Sequence, residues 1–370
     1  MNKGTKIVVG LIVIILIIWG ISASKVTAPQ SDTFRIGYFG PFTGLLAAST
    51  GESVAEGFKL AEELRNNEGS PKVSVIYEDD SCDPKKAVSA AQKLMDVDKV
   101  KVLVSGVCSS ATLAVAPIAE QNQVILISPT SASPKITQAG DYVFRLSSPT
   151  TGMAKAAVDY LAGNGYTKVA ILFENNEYPA GWKDSFISQF KGNVIADGFA
   201  PGMTDLKSQL LKLSESKPQA YVFTMISPGS ANAALKQFKD LKLSGPIIGN
   251  DTFSLKVVHG QPEAEGITVV TYDYVLESKE MIDFLASYKK KYNRDAKEEI
   301  YAALGYDTFN ALYESVKACG SMDTTCIKQK LYARDDISGI SGKYTIDENG
   351  DTQRGFVVRK VTGGKLELVK

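Results

Sequence analysis

The feature that most constrains the fold is an alternation. Short apolar runs with strand character, at 34–39, 73–77, 102–104 and 124–127, alternate with segments whose apolar residues fall on one helical face. In the helix expected at 51–66 that face is Val54, Phe58, Ala61 and Leu64. The plan then repeats: helix at 151–161, strands at 169–173, 193–199, 220–226 and 246–249, with helices between them. Strand followed by helix, about four times and then again, argues for parallel sheets covered by helices on both faces. At 370 residues the chain exceeds what one core ordinarily organises. The expectation is therefore α/β, with two similar doubly wound parallel-sheet lobes. Near the end, 343–346 and 356–361 flank the turn DENGD and read as a hairpin, with Asn349-Gly350 as its turn signal.

The stretch 100–134 organises the first lobe. It reads as strand, turn, helix, strand, turn. Ser109 and Ser110 stand where the helix should begin, so one reading is that they cap it. The other is that the free amides of that first turn, at the positive end of the helix dipole, seat a carboxylate. The next strand delivers a second polar turn, with Thr130, Ser131 and Ala132, to the same sheet edge. The turn ending at Thr50 joins them, and Tyr178, Ile226, Ser227 and Asp251 occupy the matching positions in the second lobe. Open parallel sheets bind ligands at that edge, and two lobes facing each other there enclose a cleft.

Catalytic chemistry is sparse. His259 is the only histidine and has no nucleophile near it in sequence. There is no glycine-rich dinucleotide motif and no phosphate-binding P-loop, so no cofactor is expected. The carboxylate pairs Asp79-Asp80 and Asp335-Asp336 read as solvated turns. Lys plus Arg and Asp plus Glu are 41 each, so nothing favours a nucleic-acid partner.

At the N-terminus, Lys3 and Lys6 precede an aliphatic run at 7–21, and Ser22-Ala23-Ser24 offers a small-residue cleavage site. The run is shorter than a spanning helix needs. An export signal is expected over 1–24, cleaved near Ser24 or retained as a short anchor, followed by a linker at 25–33. Export makes cysteine pairing the default. Cys319 and Cys326 flank a short loop and suit a local bridge, which leaves Cys82 and Cys108 for each other. The alternative, a metal site, lacks the usual ligand spacing.

Several runs together resemble the leucine/isoleucine/valine-binding group of type I periplasmic binding proteins, which serve bacterial ABC transporters. They are YEDDSCDPKKAVSAAQKL (77–94), VCSSAT (107–112), ISPTSASPKITQAG (127–140), YPAGW (178–182) and ALGYDTFNAL (303–312). The likeness covers the chain from Phe34 onward. It implies two α/β lobes joined by a three-segment hinge and closing on an amino acid. The divisions expected are 34–148 for the first lobe, 149–252 for the second, 253–337 returning to the first and 338–370 to the second. It also matches Cys82 and Cys108 to the family's disulfide. By the same likeness Ser109 holds the ligand carboxylate and the turn Thr130, Ser131, Ala132 holds its ammonium and carboxylate. Asp251 pairs with the ammonium, and Tyr178 and Tyr301 pack on the ligand. Three positions depart: Ala132 replaces a Thr, Asp251 is shorter than the usual Glu, and an aromatic near Thr50 is missing. Cys319–Cys326 lies outside the family pattern. The expected role is an exported, monomeric binding protein at the periplasmic or outer face of the membrane, delivering an amino acid to a permease. The alternative is the ectodomain of an amino acid sensor acting with a signalling partner.

Overall fold

Two sheets carry the architecture of the computed structural model, which describes residues 33–369. The export segment expected at 1–24 lies outside the described residues. The first sheet is built from β1 (Thr33–Gly40), α1 (Glu52–Glu68), β2 (Lys72–Asp79), α2 (Pro84–Asp96), β3 (Val102–Ser105), α3 (Ser109–Gln121), β4 (Ile125–Ser128) and β5 (Val143–Arg145). Its strand order is β2-β1-β3-β4-β5, with β1, β3, β4 and β5 parallel. β3 and β4 are buried along their whole length, which is why both read as continuous apolar runs.

The second sheet follows α4 (Thr150–Gly163). It comprises β6 (Lys168–Glu174), α5 (Glu177–Gln189), β7 (Asn193–Phe199), α6 (Lys207–Glu215), β8 (Ala220–Thr224), α7 (Pro228–Asp240), β9 (Ile247–Gly249) and β10 (Thr268–Tyr272). The chain then returns to the first lobe through α8 (Lys279–Tyr292), α9 (Glu299–Cys319) and α10 (Thr324–Tyr332). A small sheet follows, of β11 (Ile337–Gly339), β12 (Gly342–Ile346) and β13 (Thr352–Gln353). Finally β14 (Phe356–Thr362) and β15 (Lys365–Leu368) complete the second sheet, in the order β15-β14-β10-β9-β8-β6-β7.

Local chemistry sets the helix starts. Asp83 accepts from the Lys85 and Lys86 amides at 2.8 and 3.0 Å, with Pro84 in the first turn of α2. Ser278 and Asp323 cap α8 and α10 in the same way. Two glycines seat α9 against α1. A Cβ on Gly57 would lie 1.8 Å from the Ala302 carbonyl oxygen, and one on Gly305 would lie 2.1 Å from that of Val54. Only glycine allows the two backbones to approach so closely, and Phe58 and Phe309 then meet edge to face at 5.1 Å. The disulfides Cys82–Cys108 and Cys319–Cys326 are both formed, with Cα separations of 5.6 and 6.0 Å. The first ties the turn before α2 to the turn before α3.

The crossings between lobes come later than the sequence suggests, at 273–278 and 354–355 rather than at 253 and 338. β10 stays in the second sheet because it pairs with both β9 and β14. β11–β13 stay with the first lobe because Tyr344 and Ile346 pack in its core. The late hairpin is also different: β12 pairs with the short β13, and β14 instead pairs with β10 and β15. Buried polar contacts knit the first and last crossings together. Arg145, fully buried, donates to Asp351 at 2.7 Å, and Arg354 donates to the Leu146 carbonyl at 2.8 Å. Of the pair Asp79-Asp80 only Asp79 is solvated: Asp80 is fully buried, and burial pushes its carboxyl up to about 6.

Candidate functional site

On the first lobe, β3 ends at Ser105 and α3 begins at Ser109, with Cys108 as the extended residue before it. The Ser109 hydroxyl makes no cap on its own helix. It accepts instead from the amides of Ala132 and Ser133, at 3.1 Å each, and keeps its proton to donate. Behind it, Thr112 links the Ser105 and Ser131 hydroxyls at 2.7 Å each, and Ser131 and Thr130 reach the Val107 carbonyl at 3.2 and 3.3 Å. Ser128 takes the Ser131 amide at 3.0 Å. These bonds hold the 129–133 turn rigidly against the start of α3. Among the described residues, the amides of Ser109, Ser110 and Ala111 have no acceptor in the chain, as expected for a first helical turn. Together with the helix dipole they form a seat for an anion.

On the second lobe, β9 delivers Asn250 and Asp251. Asn250 was not singled out by sequence reasoning, yet it fixes this corner. Its side chain donates to the Met225 carbonyl at 2.8 Å and to the Tyr178 hydroxyl at 3.1 Å, and accepts from the Met225 amide at 3.2 Å. Asp251 is 5% exposed. Tyr178 donates to one of its oxygens and Tyr301 to the other, the latter at 2.9 Å. Burial raises the Asp251 carboxyl above the usual carboxylate range, against the pull of the two phenols. No cationic side chain pairs with it among the described residues. The two phenols are themselves held far above their ordinary range by burial and by the Asp251 charge. Because Tyr301 comes from α9 and Tyr178 from α5, Asp251 sits where the lobes meet.

The anticipated residues fall into three places. Thr50, Ser109, Thr130, Tyr178, Asp251 and Tyr301 line one small cavity of about 30 Å3. Val107, Ile226 and Leu255 supply its apolar wall, with Thr252 beside them. The Thr50 hydroxyl is buried there without a partner. Ser110 and Ser227 lie instead in an outer vestibule between the lobes. Ser131 and Ala132 are buried behind the cavity wall, engaged with Val107 and Ser109. Ser227 is fully committed to Glu174, a residue that sequence reasoning missed. Glu174 accepts from the Ile226 and Ser227 amides at 2.9 Å each, from the Ser227 hydroxyl at 2.5 Å and from the Gly202 amide at 2.9 Å. The start of α7 is thus already neutralised, whereas the start of α3 is not. The available signal for Glu174 was an acidic residue closing an apolar strand. Among the described residues no group of three or more His, Cys, Asp or Glu is placed to hold a metal ion.

The lobes touch across the cleft. Lys135 and Ser133 of the first reach Glu177 of the second at 3.0 and 3.2 Å. Gly181 on α5 packs against Pro134: a Cβ there would lie 2.7 Å from the proline Cδ.

A family model described as periplasmic binding protein matches residues 33–365. A Leu/Ile/Val-binding protein of Rhizobium johnstonii is 27% identical over 361 residues, covering 93% of this chain and 96% of that protein. Among solved structures, the branched-chain amino acid transporter substrate-binding protein of Streptococcus pneumoniae in complex with isoleucine superposes with a TM-score of 0.81. It shares 26% identity, covering 91% of this chain and 99% of the other. An ABC-transporter solute-binding protein of Rhodopseudomonas palustris in complex with 3,4-dihydroxybenzoic acid gives a TM-score of 0.77 at 25% identity, covering 91% and 96%. These relatives are transport binding proteins rather than enzymes, and they do not favour the sensing alternative. The chain belongs to the periplasmic binding protein family, and its two-lobed fold holds a substrate-binding site, with no catalytic role.

Proposed function

We propose that this protein captures a neutral α-amino acid with an aliphatic side chain outside the cytoplasm and delivers it to the permease of an ABC transporter. The observation that carries the reading is the buried Asp251 carboxylate facing a cavity whose opposite side is the open first turn of α3. A buried carboxylate without a cation is costly unless it gains one. An ammonium placed against Asp251 supplies that cation, and the amides at Ser109 take the carboxylate at the other end of the same small molecule. The apolar wall of Val107, Ile226 and Leu255 suits an aliphatic side chain and offers nothing to a second charge. A simple aromatic acid, by contrast, brings no ammonium to Asp251.

Capture needs no covalent step. Asp251 and Tyr178 lie on the second lobe, Ser109, Thr130 and Tyr301 on the first, so a ligand touching both favours the closed form by its differential affinity. The basic, aliphatic N-terminus supports export, with the segment either removed near Ser24 or kept as an anchor. Among the described residues no helix is long and apolar enough to cross a membrane.

A thermal-shift screen of the twenty amino acids and of benzoates tests the reading, because a ligand that binds only the folded state raises its melting temperature. Aliphatic amino acids are expected to give the largest shifts. Shifts from benzoates alone would overturn it.

A further inference from the structure

A second interlobe cavity backs onto the ligand cavity. Leu255 and Tyr301 face the ligand cavity, while their chain neighbours Lys256 and Ile300 line the one behind. Glu298 also lines the rear cavity, but not the ligand cavity. It is the residue preceding α9, yet its side chain makes no cap on that helix, and it is only 6% exposed. Its carboxyl group crosses to the second lobe instead. Both oxygens face the backbone amide of Lys256, at 3.0 and 3.3 Å. That amide opens the helical turn Lys256–His259. The Lys256 ammonium crosses in the opposite direction, to the Ala296 carbonyl at 3.2 Å and to the Glu299 carboxylate. On each side the clasp is tied to the ligand site by less than two turns of chain. Asp251 lies five residues before Lys256, in a tight turn where the Ser254 hydroxyl donates to the Asp251 carbonyl at 2.7 Å. Tyr301, which donates to Asp251, lies one turn after Glu298.

We propose that Glu298 is a proton-linked positioning residue for the ligand site: it clasps residues 251–256 to α9 when the lobes are closed, and closure draws a proton onto it. This rests on the binding reading above. The surroundings supply the direction. Burial is the main influence and pushes the Glu298 carboxyl up to about 8; the Lys256 amide and ammonium pull it down, and Glu299 pushes it further up. The turn Lys256–His259 also brings His259, whose Nδ1 is 2.9 Å from the Gly364 carbonyl. The crossover brings Tyr274 and Glu277, and β14 and β15 bring Arg359 and Lys365 to the same cavity. Arg359 is directed to the Tyr274 carbonyl at 3.2 Å, and the adjacent Lys297 to Glu52 of α1. Among the described residues only Lys256 hydrogen-bonds the Glu298 carboxyl group.

The sign follows from linkage. In the open form Glu298 returns to water and to an ordinary value of about 4.3. Between that value and about 8 the closed form holds more protons than the open form. Closure is therefore favoured at the acid end of this window and loses ground as pH rises. A neutral carboxyl still accepts the Lys256 amide through its carbonyl oxygen.

Calorimetry on the full chain, with the amino acid that gives the largest thermal shift, tests this. Wild type and Glu298→Gln are compared from pH 6 to 8.5, in buffers of different ionisation enthalpy. Wild type is expected to take up close to one proton more than Glu298→Gln near pH 7, and its affinity to fall by up to about tenfold per pH unit. Glu298→Gln keeps an acceptor for Lys256, so it should bind with little dependence on pH in this range, and more tightly than wild type at pH 8.5. Glu298→Ala should bind more weakly than Glu298→Gln throughout. Equal proton uptake by wild type and Glu298→Gln overturns the proposal, as does a Gln variant no better than the Ala variant. A wild type that binds no amino acid overturns the binding reading instead. Small-angle scattering of the ligand-free proteins then still decides the clasp: wild type should open as pH rises and Glu298→Gln should not, and an identical response in both overturns it.

Discussion

Closing the cleft requires a residue without a side chain at position 181, and Gly181→Ala turns that requirement into a measurable pair of opposite effects. The added Cβ would lie 2.7 Å from Pro134 Cδ and 3.5 Å from the Ser133 hydroxyl. Carbon atoms pack best about 3.5–4.0 Å apart, so the overlap with the proline ring is roughly 1 Å. The ring cannot give way easily. Ser133 before it is anchored through its carbonyl by Arg145 at 2.7 Å, and Pro134 opens a short 3-10 turn. Overpacking of this kind costs about 1–3 kcal/mol. The clashing proline belongs to the other lobe, so the cost falls on the closed form alone. Affinity for the ligand should drop about 5- to 150-fold, at about 1.4 kcal/mol per tenfold. In the ligand-free protein the lobes can part and relieve the clash. Position 181 lies inside α5, where alanine is a better helix former than glycine by about 0.8–1.0 kcal/mol. The melting temperature without ligand should therefore hold or rise by roughly 2 °C. Calorimetry and thermal melting read the two effects separately. Unchanged affinity would show that position 181 does not limit closure, and so would a ligand-free melting temperature that falls along with the affinity.

Two further substitutions probe the two ends of the site. Asp251→Asn removes a buried charge that lacks a cation while keeping an acceptor for one of the phenols. Ligand affinity should fall by about 2–5 kcal/mol, and the ligand-free melting temperature should hold or rise, as calorimetry and melting would show. Ser109→Ala leaves the Ala132 and Ser133 amides without their acceptor. It should lower stability by about 1–3 kcal/mol in denaturant unfolding and weaken ligand binding as well. Loss of affinity with no loss of stability would show that Ser109 does not brace the 129–133 turn.

Much of this was legible from residue patterns because buried parallel strands and amphipathic helices leave strong periodic signals. β3, β4 and α1 follow directly from theirs. Local turn chemistry was equally plain: Asp83-Pro84 opens α2, and the DENGD turn stands at 347–351 between β12 and β13. What sequence spacing cannot show is which partner a polar atom takes. Ser109 has the position of a helix cap, yet the 129–133 turn, twenty residues on, presents two amides that claim its hydroxyl. Glu174 reads as a charged strand end, but it satisfies three amides and a hydroxyl in the interior. Asn250 and Glu298 have no local signature, since both act on groups distant in sequence or across the cleft. β14 could pair with a hairpin neighbour or with β10, and only the tertiary sheet decides. The lobe crossings were misplaced for the same reason.

On the proposed reading, one small molecule carries both the cation that Asp251 lacks and the anion that the start of α3 can hold. Calorimetry of the best-binding amino acid beside its deaminated acid and its decarboxylated amine, on the same wild-type protein, tests this directly. Only the zwitterion should bind well, with each truncated analogue weaker by about a hundredfold, or roughly 2.7 kcal/mol. Equal affinity for the deaminated acid would contradict it.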